Sequence, residues 1–356
     1  MKHKVVRLGL CTGGGDCPGL NAAIRAVVRH ATLHHGMEVV GVRDGLNGLQ
    51  NQPNDVRVLT VKDMRGIEAT GGTILGTNNS GSPFRDAKQG AAVLKQIKDS
   101  WQAQRLDAAI IIGGDGTHNM AKHLAVAGLN LVGVPKTIDN DLVGTERTIG
   151  FATAVDVAAA AVERLKSSAD AHNRVMILEV MGRDAGHIAL AAAIAGGADV
   201  ALLPELPFAP AHVAAVVQSK QAEGRAAVVV VVAEGAYADG SEPSFQESSS
   251  GQKLLGGIGN AVARDITKRT GVDARVTVLG HLQRGGAPNA EDKILAAAFG
   301  CRAVDLVASK KFGRIVAWRD GKLTDFAYAD VAEPRRLVAL SGDDITTARG
   351  LGIVLQ

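Results

Sequence analysis

At 356 residues the chain is long enough for two domains, or three, with sizeable cores. Hydrophobic residues at 46% and charged residues at 21% exclude wholesale disorder, and 3% aromatics leave no stacking platform for single-stranded nucleic acid. The formal charge of +3 is spread along the chain without a Lys/Arg run, so neither a nucleic acid nor a membrane surface is expected as partner. Cys11, Cys17 and Cys301 are odd in number and lack C-x-x-C spacing. They support neither a disulfide framework nor a zinc site and fit a reducing compartment. The basic start meets glycine too soon for a signal peptide, and the longest apolar stretch, 226–233, is far below the roughly 18 residues of a membrane helix. A soluble cytoplasmic protein is expected.

Short β-branched or apolar runs predict strands at 5–10, 39–42, 108–112, 131–134, 175–180, 200–203, 228–232 and 276–279. Between most of them, apolar positions recurring at three and four predict helices at 21–34, 118–127, 154–167, 187–195, 211–222, 254–270 and 291–309. Strand alternating with helix predicts α/β architecture with parallel sheets covered on both faces, and ligands then sit outside the carboxyl ends of the strands. Residues 204–210 read as a rigid Pro-rich connector and 238–251 as a polar, Ser-rich, mobile surface loop.

Several turns that follow strands carry chemistry-bearing residues. Gly13-Gly14-Gly15-Asp16-Cys17-Pro18-Gly19 can cradle phosphate with backbone N–H groups and the positive end of the next helix. It matches neither G-x-x-x-x-G-K-[ST] nor, cleanly, G-x-G-x-x-G, and alone it also reads as a tight turn. Gly113-Gly114-Asp115-Gly116-Thr117 places one carboxylate at a strand end, where it can hold Mg²⁺ beside a polyphosphate. Pro135-Lys136-Thr137-Ile138-Asp139-Asn140-Asp141 offers a base for a hydroxyl proton and a cation for a transferred phosphoryl group. A basic set, Arg174, Met181-Gly182-Arg183, Arg275 and His281-Leu282-Gln283-Arg284, suits a phosphate monoester.

Together, and in this order, GGGDCPGLNAAIR, GGTILGT, IGGDGT, PKTIDNDL, TIGFATA, EVMGRDAGHIAL, AEGA and RVTVLGHLQRGG resemble the bacterial, GGD-loop type of the 6-phosphofructokinase family from about Leu8 to Leu306. The resemblance implies two doubly wound, Rossmann-like lobes with parallel-rich sheets and the active site between them. About 1–150 with 283–333 would form the phosphoryl-donor and Mg²⁺ lobe, and about 151–282 with 334–356 the sugar-phosphate lobe. It implies a homo-oligomer, tetramer or dimer, with shared active sites, working in glycolysis on ATP and fructose 6-phosphate.

Carried over residue by residue, the resemblance implies that Gly15, Gly114, Asp115, Gly116 and Thr117 bind the donor, with Asp115 on Mg²⁺. Asp139 would be the base for the sugar 1-hydroxyl, helped by Asp141, Thr137 and Lys136, and Arg183 would stabilise the transferring phosphoryl group. Thr137, Ile138, Met181, Gly182, Arg183, Glu234, His281, Leu282, Gln283 and Arg284 would bind the sugar phosphate, with Arg174 and Arg275 reaching across from a neighbouring subunit.

The resemblance also spans pyrophosphate users. Those commonly have Asp where Gly116 stands, filling the place of the nucleotide α-phosphate, so Gly116 favours ATP. Lys136 is the residue typical of pyrophosphate users, Asn79 replaces a donor-contacting Arg, and Leu46 replaces an aromatic near the adenine. This mixture matches the non-allosteric, mixed-type group, in which ATP is the expected donor and pyrophosphate the alternative. Arg25, Arg29 and Arg225 match effector-site cations, but Glu223 replaces a lysine, so an anionic effector is expected to bind weakly.

Overall fold

The computed structural model describes residues 6–79, 82–225, 227–247, 253–331 and 335–355. Its strands, in chain order, are β1 (Arg7–Thr12), β2 (Glu38–Val42), β3 (Val56–Leu59), β4 (Ala108–Gly113), β5 (Leu131–Pro135), β6 (Val175–Val180), β7 (Val200–Leu202), β8 (Val228–Ala233), β9 (Phe245–Glu247), β10 (Lys253–Leu255), β11 (Ala274–Val278), β12 (Arg314–Arg319) and β13 (Lys322–Ala327). Two compact units result: Met1–Thr137 with Leu142–Ala152 and Arg284–Pro334, and Ile138–Asp141 with Thr153–Gln283 and Arg335–Gln356. The fold is α/β with parallel-rich sheets, as the alternation of strand and helix predicts. Among the described residues no helix is long and apolar enough to cross a membrane.

The sheet of the first unit runs β13-β12-β5-β4-β1-β2-β3, parallel except for the antiparallel edge strands β13 and β3. β4 and β5 are buried along their whole length, which explains why AAIIIG and LVGVP read as unbroken apolar runs rather than alternating ones. Helix Leu20–His35 packs beside helix Ala290–Ala308 at Gly300, where an added Cβ would stand 2.7 Å from the Ala26 Cβ and 3.0 Å from the Ala23 carbonyl oxygen. The second unit carries an all-parallel sheet, β11-β6-β8-β7, whose β8 is wholly buried.

Several elements differ from the sequence expectation. The predicted helix 254–270 begins at Ile258, because Leu255 ends a strand and Gly257 (φ 88) takes the left-handed conformation before the first turn. The loop expected to be mobile at 238–251 contains β9, which pairs antiparallel with β10; residues 248–251 lie outside the described residues. Run 276–279 belongs to the mostly exposed edge strand β11, with Val278 53% exposed. Helix Ala87–Ala103 and the β12/β13 hairpin are additions that the pattern did not yield.

Because a Cβ at Gly300 already meets the Ala26 side chain and the Ala23 backbone of the neighbouring helix, Gly300→Val forces the two apart. Overpacking of this kind costs about 1–3 kcal/mol, which chemical denaturation registers as a lower unfolding midpoint.

Candidate active site

In the first unit the winding reverses between β1 and β4, the place where such sheets take ligands. Register puts Thr12 beside Ile112 and Ile112 beside Val134, so the turns after β1, β4 and β5 leave the sheet side by side. In the first turn, Gly14 (φ 79) and Gly19 (φ 101) are left-handed, a conformation glycine takes without strain. The Gly13 N–H donates to the Ile112 carbonyl at 2.9 Å and the Gly14 N–H to the Asn78 carbonyl at 3.0 Å. Two cations lie on this turn: Lys136 Nζ donates to the Gly15 carbonyl, and Arg284 Nη1 to the Asp16 carbonyl at 3.0 Å. A Cβ at Gly15 would stand 2.8 Å from Arg284 Nη1, so the guanidinium lies directly against this turn.

The helix predicted at 118–127 begins at Asp115, since a carboxylate is favoured in the first turn. Buried Thr117 packs under Gly13 and Gly113, where added Cβ atoms would come within 2.8 and 2.4 Å of its side chain. The Lys136 N–H donates to the Gly113 carbonyl at 2.9 Å, and a Cβ at Gly114 would meet the Lys136 carbonyl oxygen at 3.2 Å. Gly116, in contrast, is exposed and faces open space, with nothing within 4 Å of a Cβ built there. A cavity of about 230 Å³, lined by Gly13, Thr117, Leu46, Asn78 and Val93 among others, adjoins the same turns. It is smaller than the roughly 300–1,000 Å³ of a drug-sized pocket and suits part of a ligand.

The second unit repeats the arrangement with different chemistry. Val180 pairs with Ala233 and Glu179 with Val278, so the turns after β6, β8 and β11 emerge together. Glu234 Oε1 accepts the N–H groups of Gly182 (3.3 Å) and Arg183 (3.0 Å), while fully buried Gln283 accepts the Met181 N–H through Oε1 at 2.8 Å. These two side chains hold the Met181-Gly182-Arg183 turn, in which Arg183 itself is left-handed (φ 54). Arg183 Nε stands 3.9 Å from Asp139 Oδ2; Arg335 Nε is 3.5 Å from Asp141 Oδ2 and its Nη1 2.7 Å from Asp184. Ile138, before Asp139, is fully buried, and Thr137 is buried with its carbonyl accepting the Thr148 hydroxyl at 2.7 Å.

Arg174 and Arg275 form a separate pair on one carboxylate oxygen of Asp273, at 3.1 and 2.9 Å. His281 and Leu282 are exposed. Arg284, expected with His281 at a sugar phosphate, donates through Nη1 to the Asp16 carbonyl.

A sequence model described as Phosphofructokinase matches residues 7–307. The chain belongs to the phosphofructokinase family. It is 44% identical over 356 residues to a Synechocystis sp. protein named ATP-dependent 6-phosphofructokinase 1, covering 99% of each chain. It is also 46% identical over 331 residues to an Amycolatopsis methanolica protein named pyrophosphate–fructose 6-phosphate 1-phosphotransferase, covering 92% of this chain and 94% of that one. Among solved structures, phosphofructokinase from Saccharomyces cerevisiae superposes with a TM-score of 0.77 at 30% identity, over 92% of this chain and 45% of the yeast chain. This chain thus spans under half the length of that relative.

In this phosphofructokinase-family chain, three residues to which the motifs gave no role support the site. Glu179 is buried in β6 and accepts the Gly257 N–H (2.9 Å) and Gly259 N–H (2.8 Å), capping helix Ile258–Thr270; a lone Glu inside VMILEV was the available signal. Fully buried His118 lies behind the Gly113 turn, its Nε2 3.2 Å from the Val134 carbonyl, and burial pushes it down to about 4, so it is neutral. Arg335, beyond the last motif, faces Asp141. Of the effector-site cations, Arg25 pairs with Glu68 at 3.2 Å and Arg225 with Asp170, so both are already engaged by carboxylates.

Burial, and then the neighbouring charge of Asp139, raise Asp141 from 3.8 to about 6, against the pull of Arg335 and Arg183. Burial also raises Glu234, opposed by the amide of Arg183. Between the two values for Asp141 the folded chain keeps a proton that the unfolded chain has released. Folding stability therefore falls as pH rises from 3.8 to about 6 and stays lower above it. Asp141→Asn removes this dependence, so at neutral pH the variant is more stable than the parent by about 1–3 kcal/mol, while below pH 4 the two converge; denaturant titration across pH measures both.

Proposed function

We propose that the chain transfers the terminal phosphoryl group of ATP to the 1-hydroxyl of fructose 6-phosphate, giving fructose 1,6-bisphosphate in glycolysis. The observation that carries the donor assignment is the open space at Gly116 beside the cavity lined by Gly13, Thr117 and Leu46. A nucleotide needs room for an α-phosphate and a nucleoside; pyrophosphate needs neither. The identity to the Synechocystis sp. relative supports the same reading.

The donor phosphates are held by the amide of Gly15, by the start of helix Asp115–Val126, and by the nearby charges of Lys136 and Arg284 on the same turn. Asp115 fits Mg²⁺, since a hard cation takes a single carboxylate together with phosphate oxygens, and the ion supplies neutralisation of the polyphosphate charge. Asp139 accepts the proton of the sugar hydroxyl, and Asp141 beside it keeps a second negative charge from forming at acid pH. Arg183, whose 3.9 Å approach to Asp139 is longer than a hydrogen bond, turns to the charge that develops on the phosphoryl oxygens. Lys136 and Asp139 are three residues apart, so their Cα atoms lie within about 11 Å whatever the loop does, and cation and base stay on one short segment.

Glu234, fixed through Oε1 by two amides, presents its carboxylate to sugar hydroxyls, with Met181, Gly182, Gln283 and His281 around the sugar phosphate. Arg174 and Arg275 serve a neighbouring copy. The edge position of β11, with Val278 53% and Leu282 69% exposed, supports a homo-oligomer built on that face.

A pyrophosphate-dependent reaction is the second reading, carried by the Amycolatopsis methanolica relative. Purified protein given fructose 6-phosphate, Mg²⁺ and either donor separates the two. Product with ATP is expected, and product with pyrophosphate alone refutes the donor assignment while leaving the acceptor site standing. Gly116→Asp folds normally, because its side chain enters open space, and lowers kcat/KM for ATP at least 100-fold by placing a carboxylate against the α-phosphate. Asp139→Asn lowers kcat about 10²–10⁴-fold with little change in the sugar-phosphate KM, the signature of a lost base.

A further inference from the structure

Beyond the proposed reaction, the structure carries an unassigned cluster at the far end of helix Leu20–His35. Two imidazoles point at one carboxylate oxygen: His30 Nε2 is 2.8 Å and His35 Nε2 3.4 Å from Asp305 Oδ1. All three donor atoms lie within 4.8 Å of one another. A third imidazole, His34, packs on His30 with ring centroids 4.9 Å apart.

We infer that His30, His35 and Asp305 bind a zinc-class divalent transition metal through Nε2, Nε2 and Oδ1, with water in the fourth position. Three arguments support this assignment. The first is geometry: ligands about 2.0–2.1 Å from a tetrahedral ion sit roughly 3.3 Å from each other, and two of the three edges already fall close to that spacing.

The second is field. Ala26 packs on Gly300 and His30 on Asp305, so the two helices run in the same direction and both end at the cluster. Two helix carboxyl ends, each carrying partial negative charge, point where a third negative charge, Asp305, already stands in the last turn of its own helix. An aspartate there opposes the helix dipole, and a bound cation reverses that penalty. The third is donor type: imidazole with a single carboxylate selects zinc-class ions over Mg²⁺, which prefers oxygen ligands alone. The side chains of His30 and His35, 21% and 27% exposed, are desolvated enough to hold an ion and open enough to admit one. The cysteine spacing that excludes a cysteine-based zinc site says nothing about these imidazoles.

The test uses the full-length chain, stripped with a chelator and dialysed, then titrated with Zn²⁺ by calorimetry, with thermal unfolding followed in parallel. One Zn²⁺ per chain at this site and a higher unfolding temperature are expected, since an ion that binds only the folded state stabilises it by mass action. Asp305→Asn and His30→Gln each weaken that binding at least tenfold and abolish the thermal shift, while their metal-free unfolding temperatures stay near that of the parent. A metal-free parent that takes up no Zn²⁺, or variants that bind it as tightly as the parent, would overturn the assignment.

Discussion

Negative charge held where water is scarce is the constraint around which the second unit is built. Asp139 and Asp141 are 4% and 5% exposed and two residues apart, so their charges raise each other's energy more than they would in solvent. Asn140 between them is left-handed (φ 51), a conformation Asn adopts more readily than most side chains. Glu234 adds a third carboxylate, yet it is steadied by backbone N–H groups rather than by a side-chain cation. That division matters. A guanidinium locked to Glu234 could not also meet an incoming phosphoryl group, whereas Arg183, held by its own backbone amide and 45% exposed at its side chain, keeps its charge at the edge of the site.

The first unit solves the inverse problem. Lys136 is 3% exposed, and burying an ammonium is costly unless polar groups face it, so its bond to the Gly15 carbonyl is part of what makes the burial tolerable. Arg284 donates to the next carbonyl in the same turn. The turn then leads into helix Leu20–His35, which has no acidic residue in its own first turn, so nothing on the helix itself offsets its positive end. Its opposite end gathers imidazoles around Asp305. One helix thus presents an anion-attracting turn at its start and a cation-attracting cluster at its finish, both following from the same backbone dipole.

What was legible in the sequence follows from which residues had one physical reading. Buried parallel strands such as AAIIIG read plainly because a short, β-branched apolar run closed by glycines fits a doubly covered strand better than a buried helix. The turns after β1, β4, β5, β6 and β11 were ambiguous one by one, since a Gly-rich turn or a surface Arg has structural uses as well, and only their combination in order pointed to a site. Helix Ala87–Ala103 escaped because its outward face is Lys, Gln and Asp, with only Val93 and Ile97 fully committed to the core. The start at 254 was misplaced because Leu254 and Leu255 extend the helical pattern backwards through Gly256 and Gly257, where backbone conformation rather than hydrophobicity ends the run. The carbonyl that Arg284 meets was not legible from its motif. HLQRGG reads as one block, but Gln283 turns to the Met181 amide while Arg284 turns to the Asp16 carbonyl.

The two donor signals that conflict in the sequence carry unequal weight once each side chain has a location. Lys136 reaches the Gly15 carbonyl, on the turn proposed to hold phosphate, so its charge would suit any polyphosphate whatever is attached to the far end. Such a residue contributes affinity without discrimination. Gly116 stands on the exposed side of the first turn of helix Asp115–Val126 with open space before it, where an added carboxylate would repel one donor and be indifferent to another. Specificity is a difference between affinities, and it is set by the position whose effect differs between ligands. The lysine is therefore compatible with either donor, and the decision rests on an absent side chain.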